Sequence, residues 1–99
     1  NNYINFRFQG GGASVEGRYR RALFIKDVLE SYDFKVEVKG DMVIADMKGA
    51  SQKDTELRLD ILGRLLGCSR QLDMAISSME AKDWYVRAFL EGNYTFVHD

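Results

Sequence analysis

The sequence predicts an α+β fold, specifically a ferredoxin-like split β-α-β sandwich. Three strands, antiparallel or mixed, with Tyr94–Val97 as an optional fourth, are covered by two to three helices. Three observations carry this prediction. Apolar and polar residues alternate from Tyr3 to Phe8. They recur at helical spacing from Val15 to Tyr32. They alternate again on both arms of a turn between Phe34 and Met47, and further helical segments follow.

In the first segment Ile4, Phe6 and Phe8 share one face and Tyr3, Asn5 and Arg7 the other, as in a half-buried strand. The helix that follows has Ser14 as its N-cap and a stripe of Val15, Tyr19, Ala22, Ile25 or Lys26, and Leu29, its apolar arc widened by Phe24, Val28 and Tyr32. A capping box would need Glu or Gln at position 17, where Gly17 stands, so the start is weakly specified. Gly40-Asp41 suits a two-residue type II′ turn. That turn sets Lys39 opposite Met42, Val38 opposite Val43, Glu37 opposite Ile44, Val36 opposite Ala45, Lys35 opposite Asp46 and Phe34 opposite Met47. A slip of one residue would scatter the apolar face and separate Lys35 from Asp46, so the pattern selects this register. A right-handed crossover between parallel strands 1 and 2, with strand 3 between them, gives sheet order 1-3-2; the alternative is 1-2-3.

Ser51 caps a second helix with Asp54 in its first turn and an apolar arc of Leu57, Ile61, Leu65, Leu62, Leu66 and Leu59. The arc covers about half the circumference, more than a surface helix needs. Gly67 is the expected stop, and Ser69 either restarts the helix or is run through. Ser77 and Glu80 match a capping box for a last helix lined by Ala81, Tyr85, Ala88 and Phe89, with Trp84 and Leu90 flanking and Gly92 at its end.

The chain has 99 residues, so one domain spanning 1–99 is expected. It opens on Asn1 with a strand pattern from residue 3, which suggests a piece cut from a longer polypeptide. Net charge is −1, without the basic excess of a nucleic-acid binder. No apolar run has membrane-spanning length. The single cysteine, Cys68, fits a reducing compartment, and the expected location is cytoplasmic.

The stretch FQGGGASVEGRYRR is the best candidate for chemistry. A glycine-rich loop entering a helix can hold an anion on its free N–H groups. Arg18, Arg20 and Arg21 put positive charge where the helix dipole disfavours it, which an anion would relieve. The candidate anion site is Gly11, Gly12, Ala13, Ser14, Arg18 and Arg21. The stretch lacks the Gly-Lys-Ser/Thr of a phosphate-binding loop, and a dinucleotide fingerprint would need glycine where Val15 stands. The plainer reading is a flexible turn whose arginines pair with acids of the same protein or of its parent.

Elsewhere the signals are structural. His98 and Cys68 are far apart and show no metal-ligand spacing. Cys68 beside Leu65 and Leu66 reads as a small buried hydrophobe, and Asp60 with Arg64 as an i,i+4 pair. Tyr3, Asn5 and Arg7 could serve as a stacking face for single-stranded nucleic acid, a reading the charge balance disfavours.

The strings NNYINFRFQGGGA, FKVEVKGDMVIADMKG and LDILGRLLGCSRQLDM resemble the C-terminal region of phosphoenolpyruvate synthase-like (pyruvate, water dikinase-like) proteins with a PEP/pyruvate-binding domain, from Asn1 to about Phe96. The resemblance implies a parent that transfers phosphoryl groups from ATP, with Mg, to pyruvate through a phosphohistidine. Those motifs have no match in this segment. The chain is therefore expected to be a non-catalytic accessory or docking domain without a cofactor of its own. Its expected partners are other domains of the parent or a second copy, not a membrane or nucleic acid.

Overall fold

The computed structural model describes residues 3–7, 14–31, 33–47, 49 and 51–91. Among them the fold is α+β, with three antiparallel strands in one sheet and four helices. The chain divides into two compact units, Asn1–Gly49 and Ala50–Asp99.

The first unit contains β1 (Tyr3–Arg7), α1 (Val15–Glu30), β2 (Lys35–Lys39) and β3 (Met42–Asp46). The strand order is β1-β3-β2, and both outer strands run antiparallel to β3. The hairpin register pairs Lys39 with Met42, Val38 with Val43, Glu37 with Ile44, Val36 with Ala45 and Lys35 with Asp46, as the alternation predicts. Gly40 has φ 63° while Asp41 does not enter positive φ, the requirement of a type II′ turn. β1 joins the other side of β3 with Asn5 opposite Ile44.

One sheet face therefore collects Ile4, Phe6, Val36, Val38, Val43 and Ala45. Helix α1 packs on β2 and β3 and buries Ala22, Phe24, Ile25, Val28 and Leu29. The Ser14 hydroxyl accepts from the Gly17 N–H at 3.0 Å, so the helix start expected from Ser14 forms despite the missing acid at position 17. α1 ends at Glu30, two residues before the expected Tyr32. The Ser31 hydroxyl donates to the Val28 carbonyl, Asp33 takes φ 66°, and the Phe34 N–H closes onto the Leu29 carbonyl. A left-handed residue there turns the chain back toward the sheet.

The second unit contains α2 (Gln52–Leu66), α3 (Ser69–Ser77) and α4 (Met79–Glu91). The segment after Ser51 is two helices and not one, which brings the helices to four instead of the expected two to three. The break falls at Gly67-Cys68: the Gly67 N–H is the last to reach back four residues, to Gly63, and the Cys68 backbone at φ −113°, ψ 69° is not helical. The last helix is also capped one residue later than predicted. Ser77 ends α3, its hydroxyl donating to the Asp73 and Met74 carbonyls. Ser78 is extended, and its hydroxyl accepts from the Ala81 N–H, so it caps α4. Two adjacent serines thus divide the work of ending one helix and starting the next.

Buried residues of this unit include Ile61, Leu62, Leu65, Cys68, Leu72, Ala75, Tyr85, Ala88 and Phe89. Leu57, expected on the apolar arc, is exposed. The predicted strand at Tyr94–Val97, the stop at Gly92, and His98 lie outside the described residues, as does Phe8.

Candidate functional site

Of the six residues proposed from the sequence as an anion site, Gly11, Gly12 and Ala13 lie outside the described residues. Ser14 is occupied as the α1 cap, and Arg21 is half-buried on α1. Arg18 has a carboxylate from its own chain: its Nε donates to Asp41 Oδ2 at 3.1 Å. Arg7 Nε meets the other oxygen of the same carboxylate, Oδ1, at 2.9 Å. One turn aspartate therefore ties the end of β1 to the first turns of α1, with Asp41 and Arg18 both largely withdrawn from solvent.

The sequence reading left the acids to this protein or to its parent and did not single out Asp41; Arg18 finds its carboxylate within the chain. The signal was present for Arg7. In sheet order 1-3-2 it lies opposite Met42, next to Asp41. The two guanidinium groups share one carboxylate, each on a different oxygen.

A different site emerges in the helical unit. Helices α3 and α4, joined by the single residue Ser78, line a groove of about 550 Å³. Gln71, Met74 and Ser77 line it from α3, and Glu80, Ala81 and Trp84 from α4, with Ser78 at its end. The α3 set recurs at three-residue spacing and the α4 set at one and four, so each helix turns one face to the groove. Met74 is 56% exposed, and Met79 beside the groove is 75% exposed.

The floor is rigid. Behind the groove, Leu72, Ala75, Tyr85 and Ala88 are buried. Cys68 is buried as well, its thiol donating to the Arg64 carbonyl. Burial first, and the Cys68 sulfur second, push the Tyr85 phenol well above its ordinary pKa, so Tyr85 is a neutral packing group at physiological pH. Arg58 lies over the Phe89 ring at 5.8 Å and donates to its carbonyl, tying α2 to α4.

Gln71 Oε1 is buried and has no hydrogen-bond partner among the described residues. An adaptable thioether, an indole and a few polar groups at a concave surface suit an apolar partner held in orientation by its polar edge. Helix α1 also exposes apolar residues at i, i+4 and i+8, namely Val15, Tyr19 and Leu23. The sequence reading places Trp84 at the flank of the aromatic face of the last helix and does not single out Met74 as a surface residue. The groove could not be seen without knowing that Ser78 ends one helix and starts another.

Among the described residues no group of three or more His, Cys, Asp or Glu side chains is gathered to hold a metal. No helix of the described residues is long and apolar enough to cross a membrane. No family model matches the chain, no curated protein matches it, and no solved structure matches it.

Proposed function

We propose that this chain is a non-catalytic docking module that receives an apolar segment of its parent polypeptide in the α3–α4 groove. The observation that carries this reading is the groove, where Met74 and Trp84 are displayed on a buried, well-packed floor. Helical grooves of this kind take the apolar face of a partner helix or an apolar extended segment, and methionine tolerates imperfect fit. The three strings quoted above support a phosphoenolpyruvate synthase-like parent, cytoplasmic, in which ATP, Mg and phosphoryl transfer to pyruvate belong to other domains. The strand–helix–strand–strand order with β3 central supports reading residues 1–49 as the split β-α-β of a ferredoxin-like fold.

The test is association in trans. The chain is titrated with the remainder of the polypeptide its gene encodes, expressed without these residues, and Trp84 emission is followed. Saturable binding that weakens at least about tenfold in Met74→Glu supports the reading, since a charge placed in an apolar contact is left without a partner. A gene that encodes no further polypeptide, or binding indifferent to Met74→Glu, refutes it. The anion-sensor alternative has less support because Arg18 already shares Asp41 with Arg7. It predicts that ATP, PEP or phosphate binds the chain and that Arg18→Ala with Arg21→Ala abolishes the binding.

A further inference from the structure

We propose that Met74 is a reversible oxidation site, and that converting its thioether to the sulfoxide closes the α3–α4 groove to apolar occupants. The consequence for the parent polypeptide rests on the docking reading, while the oxidation site itself rests on the groove alone.

The two walls of the groove are unequal. From α4 come Ala81 and Trp84, an apolar pair beside Glu80. From α3 come Gln71, Met74 and Ser77, and of these only Met74 is apolar. One side chain therefore carries the apolar character of the α3 wall, and it is a side chain whose polarity a two-electron oxidation reverses. The change also stays local. Helix α3 enters the core through Leu72 and Ala75, whereas Met74 is exposed. A polar group at Met74 costs the fold little and costs an apolar occupant its contact.

Accessibility ranks the sulfur groups of the chain. Met74 and Met79 are exposed, Met42 is half-buried, and Met47 keeps 4% of its surface. Cys68 is buried, with its thiol donating to the Arg64 carbonyl. A peroxide therefore reaches Met79 and Met74 first. Met79 starts α4 and does not line the groove, so it is an internal control.

In the oxidation step the Met74 sulfur attacks one oxygen of hydrogen peroxide. The S–O bond forms as the O–O bond breaks. The hydroxide that leaves takes the proton from the new S–OH and departs as water. Sulfur gives up two electrons and the peroxide accepts them. The product oxygen is a strong hydrogen-bond acceptor, where a thioether accepts only weakly, and Gln71, one turn back on α3, carries amide N–H donors. A thiol-dependent methionine sulfoxide reductase reverses the step: two thiols become a disulfide and the oxygen leaves as water.

The test treats the chain alone with hydrogen peroxide, maps oxygen uptake by peptide mass, and titrates the product with the neutral apolar dye Nile red. Met79 and Met74 are expected to take up oxygen at least about tenfold faster than Met47. Dye affinity is expected to fall about tenfold as Met74 oxidises, with unchanged circular dichroism, and to recover after reductase and dithiol. Met79→Leu keeps this response. Met74→Leu, which preserves apolar volume, binds the dye equally before and after peroxide. The proposal is overturned by Met47 oxidising as fast as Met74, by an untreated chain that binds no dye, by an oxidised chain that binds it as tightly as before, or by a Met74→Leu chain that stays sensitive to peroxide. Repeating the titration with the remainder of the polypeptide separates the two readings. An untreated chain that takes the dye but not the remainder refutes docking and leaves the oxidation site standing. A remainder bound equally before and after Met74 oxidation refutes the closing of the groove and leaves docking standing.

Discussion

The two units have similar lengths and opposite logics. In residues 1–49 the structure is set by pairing between distant residues. A single turn at Gly40-Asp41 fixes the register of β2 on β3, and β1 docks on the far side with Asp41 clasping Arg7 and Arg18. In residues 50–99 each helix is specified locally, by Ser51 and Ser78 caps and by apolar spacing, and the helices meet through a core around Tyr85 and Phe89. A ladder saturates its main-chain groups wherever it forms and leaves only edges open. Helices saturate their own main chain and can diverge at a link, which leaves a groove.

The largest effect that separates the two is expected at Phe89. Phe89→Ala removes a fully buried ring and the surface under Arg58, and is expected to cost about 3–5 kcal/mol of stability, measured by urea unfolding with Trp84 as reporter. In the sheet unit the comparable weak point is the turn. Gly40→Ala forces a Cβ into φ 63°, although nothing lies within 4 Å of the added atom. The cost is therefore conformational alone, about 1–2 kcal/mol. A loss as large as that of Phe89→Ala would mean that the hairpin turn carries more than its own strain.

How much of this was legible in the sequence follows the same division. The hairpin register could be read because period-two alternation and the Gly40-Asp41 pair constrain each other, and a slip of one residue would put Val36 and Val38 on the opposite face from Val43 and Ala45. The helices were legible as helices, since Ile61, Leu62 and Leu65 fall on one face. Their ends were not. Ser77-Ser78 offers two equivalent caps, and the choice depends on which hydroxyl finds the Asp73 and Met74 carbonyls. The candidate site followed that uncertainty: a groove made by a one-residue link is invisible until the link is placed. The arginines of α1 were visible, but their carboxylate lies 23 residues from Arg18 and is reached only through the sheet.

The helical core also predicts a pH response. The folded state holds the Tyr85 phenol above the pKa it has in the unfolded chain, near 10. Its contribution is therefore fully present below about pH 10. Above that value the unfolded chain releases a proton that the folded chain keeps, and stability falls by about 1.4 kcal/mol per pH unit. Tyr85→Phe is expected to flatten alkaline unfolding, and an unchanged profile would show that the phenol is not held in this way. The smallest effect has the opposite sign. Gln71→Met replaces a buried carbonyl oxygen that lacks a hydrogen bond among the described residues, and is expected to raise stability by about 1 kcal/mol, read from the denaturant midpoint.

The four methionines divide between the units, Met42 and Met47 in the first and Met74 and Met79 in the second. The most direct measurement of the docking claim is a methyl spectrum of the chain, labelled at methionine, as the remainder of its polypeptide is added. The groove account predicts that the Met74 and Met79 signals shift or broaden together while Met47, buried in the sheet unit, stays in place. Movement confined to Met42 and Met47, with Met74 and Met79 unchanged at saturation, would contradict it and place the docking surface on the sheet.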